Sequence, residues 1–144
     1  MTSKLIEESI VAFGHKNIQA THLSTLMFTK DENLSNNGNC IICVSADKAV
    51  ADLSQKFKNA LKKPNAKLTL IIKVGDLAEQ IKASGSSELL FTHKTDMVIR
   101  KSDYISDRTL AIHADKSSND LSRALVEKLK NPQQIINITL IIDN

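Results

Sequence analysis

The chain has 144 residues, of which 42 % are hydrophobic, 24 % charged and only 3 % aromatic, with a formal charge of +3. That length fits one ordinary domain burying about two-thirds of its unfolded surface, and the scarcity of rings makes its core aliphatic. The small, mixed charge argues against the basic stripe of a duplex-DNA binder, few Gly and Pro argue against low-complexity chains, and no run approaches a membrane-spanning helix.

The expected elements follow in chain order. IEESIVAFG, residues 6–14, partly alternates and ends in Gly, which reads as a strand. THLSTLMF, residues 21–28, reads as a second strand with His22, Leu26 and Phe28 on one face. CIICVSA, residues 40–46, is an apolar run that suits a buried third strand. Its Cys40 and Cys43 form a lone C-x-x-C. Residues i and i+3 of a strand point to opposite faces, and no second Cys pair supplies zinc ligands, so two buried free thiols are expected. A helix then carries Leu53, Phe57, Ala60 and Leu61 at one-face spacing, with Asp52 in its first turn and Lys62, Lys63 and Pro64 at its end. KLTLIIKV, residues 67–74, alternates as a last strand.

The same order then returns. LAEQIKASG (77–85) matches IEESIVAFG, and THKTDMVIRKSDYIS (92–106) lies over THLSTLMFTKDENLS (21–35). ADKSSNDLSRALVEKLKNP (114–132) shares nine of nineteen positions with ADKAVADLSQKFKNALKKP (46–64), and TLII at 69–72 recurs at 139–142. One internal duplication of a β-β-β-α-β unit, about residues 5–74 and 76–144, explains all of these matches at once. The expected fold class is therefore mainly β with two helices. A seventy-residue unit with a one-sided sheet cannot bury its apolar face alone, so the two copies should pack as one pseudo-twofold barrel or sandwich. The junction KVGDLAEQ is too short for a linker between independent domains.

Four polar pairs recur: His22 with His93, Lys30 with Lys101, Asp47 with Asp115, and Lys48 with Lys116. His22 and His93 are the candidate acid–base groups, since imidazole titrates near neutral pH. Asp47–Lys48 and Asp115–Lys116 stand where a strand passes to a helix, a place that closes Asx turns and also collects anion-binding groups. The densest polar run, THKTDMVIRKSDYISDRTL, lies only in the second half, and its Arg100, Lys101 and Arg108 are candidate anion ligands. No spacing specifies a metal site or a cofactor motif.

GHKNIQATHLSTLMFTKDENLS, CIICVSADKA and THKTDMVIRKSDYISDRTLAIHADK resemble the archaeal family known as domain of unknown function 371. The resemblance implies an archaeal cytosolic protein and brings no activity with it. The acidic N-terminal MTSKLIEESI, unlike a secretory leader, also fits a cytoplasmic location. The favoured function is a binding module for a small anionic ligand such as a nucleotide or phosphorylated metabolite. The alternatives are an enzyme using a histidine acid or base in a cleft between the repeats, and a scaffold for nucleic acid or protein. Scarce aromatics weaken the nucleic-acid version. The sequence does not fix the oligomeric state.

Overall fold

The computed structural model describes residues 5–35 and 37–143. The strands, numbered in chain order, are β1 (Leu5–Phe13), β2 (Thr25–Thr29), β3 (Ile41–Cys43), β4 (Lys67–Val74), β5 (Leu77–Ser84), β6 (Asp96–Arg100), β7 (Thr109–Ala111) and β8 (Ile135–Asp143). They form two four-stranded sheets, ordered β1-β8-β4-β5 and β3-β2-β6-β7. The first sheet is antiparallel throughout; the second is antiparallel at its centre, β2 with β6, and parallel at both edges. The sheets meet through single bridges, Phe13 with Val44 and Ser84 with Ile112, so no closed barrel forms among the described residues.

Alternation explains the first sheet. In β4, Leu68, Leu70, Ile72 and Val74 turn inward while Lys67 and Lys73 face solvent, and β8 repeats the pattern with Ile136, Ile138, Leu140 and Ile142. Strands β2 and β6 are buried on both faces, which is why LMF in the one and MVI in the other are apolar without alternation. Both sheets contribute to one aliphatic core around Phe28 and Phe57. Strands β4 and β5 join through Gly75–Asp76, with Gly75 at φ +61°, so the junction between the halves is a two-residue hairpin.

Two helices complete the fold, α1 (Gln55–Leu61) and α2 (Arg123–Leu129). Each starts later than the apolar spacing suggests. Asp52 and Asp120 end short 3-10 turns, and the helices are capped by Ser54 and Ser122, whose hydroxyls accept from Phe57 N and Leu125 N. Leu53 and Leu121 are therefore buried outside the helices, and α2 turns Leu125, Val126 and Leu129 inward while Ala124 is exposed. No helix among the described residues is long and apolar enough to cross a membrane.

Candidate functional site

The recurring polar residues are engaged within the chain. Lys48 pairs with Glu8 at 3.0 Å and Lys116 with Glu79 at 2.8 Å. The other carboxylate oxygen of each Glu accepts from the helix-capping residue, Ser54 N or Ser122 N. Asp47 and Asp115 accept from the strand backbone at Val11 N and Lys82 N, each at 3.0 Å, and tie the loops to the strand edges. Lys30 meets Asp52 at 3.2 Å and Lys101 meets Asp120 at 2.7 Å. Asp52 and Asp120 also close their own 3-10 turns by accepting from Ala49 N and Ser117 N.

These contacts give stability a pH dependence. Burial would raise the Glu8 and Glu79 carboxyls, but the Lys48 and Lys116 ammoniums and the Ser54 and Ser122 N–H groups outweigh it and hold both below their ordinary value. The Lys101 ammonium and then Ser117 N–H hold Asp120 down at about 2. A depressed carboxyl stabilises the fold above its unfolded pKa and loses that contribution as pH falls through the folded value. The contribution of these three carboxyls should thus be fully present above about pH 5 and be lost between about pH 4.5 and 2. The loss attributable to exposed Asp120 should be about 1 kcal/mol or less after solvent screening. Urea titrations at stepped pH measure it, and Asp120→Asn should reduce the slope.

The histidines precede their strands rather than lying on strand faces. His22 Nδ1 accepts from Thr25 N at 3.1 Å and His93 Nδ1 from Asp96 N at 3.0 Å, each ring closing the turn that starts β2 or β6. With Nδ1 an acceptor, the neutral ring carries its proton on Nε2. The backbones at the two histidines dock on different turns: the His22 carbonyl accepts from Asn119 N and the His93 carbonyl from Ala51 N.

One polar cluster has no counterpart in the other half. It occupies the face of β2 and β6 that carries Met27 and Val98, beside the segment joining β6 to β7. Asp96 is buried and accepts from Thr29 Oγ1 at 2.9 Å and from Arg108 Nη1 at 3.0 Å. Arg100 donates to Thr109 Oγ1 at 3.1 Å and to Ser106 Oγ at 3.3 Å, and its guanidinium lies 4.9 Å from the Tyr104 ring centroid. Among the described residues Arg100 meets no carboxylate. Burial and then the neighbouring Arg108 charge push the Arg100 guanidinium pKa below its ordinary value, so both work against its cation. Cys40, entering β3, lies within the electrostatic reach of both arginines, yet burial still pushes its thiol up. Cys43 is fully buried and both cysteines are free thiols. His93 Nε2 stands 4.0 Å from Asp96 Oδ2.

Of the residues the sequence singled out, Arg100, Arg108 and His93 come together here. Asp47, Lys48, Asp115, Lys116 and Lys101 are spent on partners elsewhere, and His22 sits on the other half's 3-10 turn. Ser106, Thr109 and Tyr104 were not singled out, although they lie inside the polar run; Cys40 arrives from far along the chain, and its C-x-x-C gave no sign of these neighbours. A depression of about 670 Å³ on the outer face of the first sheet, lined by Leu5, Ile71, Ile141, Lys67, Lys82 and Asp143 among others, is separate from this cluster. Its charges are of both signs, whereas the arginine cluster has two cations against one carboxylate.

The model of the family described as Domain of unknown function (DUF371) matches residues 10–143. An uncharacterized protein of Methanocaldococcus jannaschii is 46 % identical over 132 residues, which are 91 % of this chain and 96 % of that protein. This relative is archaeal, as the sequence resemblance implies. With a match across both sheets and both helices, the chain belongs to the DUF371 family.

Proposed function

We propose that the chain is a duplicated β-β-β-α-β unit whose shared polar residues hold the fold, and that its function lies where the halves differ: binding a small phosphate-type anion at Arg100 and Arg108. Matching contacts support the duplication. Pairs such as Lys48–Glu8 and Lys116–Glu79 recur, and non-glycine residues adopt positive φ at corresponding places, Ala20 at 53° with Phe91 at 55° and Ser45 at 53° with His113 at 54°. Such backbones are costly for L-residues, so their recurrence is not expected of unrelated segments.

The observation that carries the binding reading is the Arg100 guanidinium, half-buried beside a second cation with no carboxylate of its own. Of five N–H donors, its contacts to Thr109 and Ser106 use two. An oxyanion would supply the missing charge and accept from the rest. Pyrophosphate at ten times its dissociation constant should stabilise the fold by about 1.4 kcal/mol, raising the melting temperature by about 4 °C. Arg100→Gln should abolish that shift and Lys56→Gln, on the exposed face of α1, should leave it intact. Loss of the shift in Lys116→Gln but not Arg100→Gln would move the site to the strand-to-helix junction. His93 beside Asp96 supports a second reading, acid–base chemistry on an anion held there; His93→Gln would then abolish turnover while leaving pyrophosphate binding in place.

A further inference from the structure

The outer face of the β1-β8-β4-β5 sheet is apolar and charged in an ordered way. Four of the seven exposed large hydrophobic residues, Leu5 (59 %), Val11 (38 %), Phe13 (38 %) and Ile135 (51 %), lie on it. Strand register arranges its residues in rows across the sheet. One row runs Glu7, Ile141, Thr69, Lys82, and the next Ser9, Thr139, Ile71, Gln80. A third runs Val11, Asn137, Lys73, Ala78. At the end of the face Leu5 pairs with Asp143 and Lys67 with Ser84. The acids Glu7 and Asp143 are thus on the β1 and β8 side, and Lys67, Lys73 and Lys82 on the β4 and β5 side. Among the described residues none of these five side chains makes an ion pair within the chain.

We propose that this face is a self-complementary interface through which two copies of the chain associate about a twofold axis running along the strands. Such an axis, passing between β8 and β4, carries each row onto itself in reverse. Glu7 of one copy then comes over Lys82 of the other, Asp143 over Lys67, Asn137 over Lys73 and Val11 over Ala78. Each pairing occurs twice by symmetry. Leu5, Glu7 and Asp143 come over the depression between Lys67 and Lys82, filling it from the second copy. Tilting the axis about 15° from the strands gives the roughly 30° crossing of aligned twisted sheets. The face measures roughly 500 Å² in projection, near the lower limit for a specific interface, which points to a dimer of modest affinity.

Sedimentation equilibrium of the full chain at several concentrations and two salt strengths tests this. The expected result is a monomer–dimer equilibrium with a micromolar dissociation constant. Glu7→Lys, which sets lysine over lysine twice, should weaken it by at least about tenfold. The double variant E7K/K82E should restore it. Both positions are exposed, so monomer stability should be unchanged. A chain that stays monomeric at about 100 µM, well above the micromolar range of such interfaces, would overturn the proposal. So would association indifferent to Glu7→Lys, or a double variant as weak as the single one. These readouts do not depend on anion binding at Arg100.

Discussion

Gly85→Ala is expected to remove about 3 kcal/mol of stability, near the upper end for overpacking a tight site. In thermal unfolding that is a fall of about 9 °C for a chain of this size. The cause is a backbone contact. A Cβ at Gly85 would run into the carbonyl of Leu61, the last residue of α1, while Ser86 N donates to that same carbonyl at 3.1 Å. The carbonyl cannot swing away without losing its hydrogen bond and lifting the end of α1, so no flexible side chain absorbs the clash. Gly14 stands in the corresponding place against the end of α2. Its Cβ would meet the carbonyls of Leu129 and Asn131, and His15 N donates to Leu129 O at 2.9 Å. Each half's first strand therefore closes the helix of the other half, and Gly14→Ala should cost about as much. Urea unfolding of the two variants measures both losses; a fall below about 1 kcal/mol in either would mean that this junction is loose enough to relax.

Asp96→Ala is expected to cost about 2 to 3 kcal/mol, at or just below the lower limit for breaking a buried pair because Arg108 is partly exposed. The change removes the acceptor of the Thr29 hydroxyl, which keeps only the Asp31 N–H, and leaves two neighbouring guanidiniums without a counter-charge. It also carries a signature that simple loss of packing would not produce. Sulfate or pyrophosphate should stabilise Asp96→Ala more than wild type, because the anion then neutralises both arginines. Adding Arg108→Met should recover part of the loss, giving a favourable coupling in the double-mutant cycle. Additive single effects with no anion rescue would contradict the charge argument.

Much of the fold was legible in the sequence because its causes are local or repeated. Alternation in KLTLIIKV marked β4, the return of its TLII marked β8, and the recurrence of A-D-K-x-x-x-D-L-S marked both helices. The helix starts were misplaced for a local reason. Apolar spacing continues back through Leu53 and Leu121, but the side chains of Asp52 and Asp120 bind the backbone at Ala49 and Ser117 and hold 3-10 turns instead. The histidines were misplaced similarly, since a ring that accepts backbone N–H groups ends the extended run just ahead of β2 and β6. Sheet partners came from neither signal. Pairing of β1 with β8 and of β2 with β6 joins segments far apart in sequence, and only the packed structure specifies it.

The candidate site was half legible. The polar run after His93 stood out because the first half lacks it, and this pointed to Arg100 and Arg108. The sequence could not show that Lys101, Lys48 and Lys116 are paired within the chain while Arg100 is not, because that depends on which carboxylate each cation meets in space.

The decisive measurement is a pyrophosphate titration of the wild-type chain followed by NMR of the backbone amides and arginine side chains. Anion binding at the arginine cluster predicts saturable shifts confined to Arg100, Ser106, Arg108 and Thr109 and their neighbours, with the Arg100 Nε–H moving furthest. Shifts centred on Asp47–Lys48 and Asp115–Lys116, or none at any concentration, would contradict it and return the arginines to the scaffold.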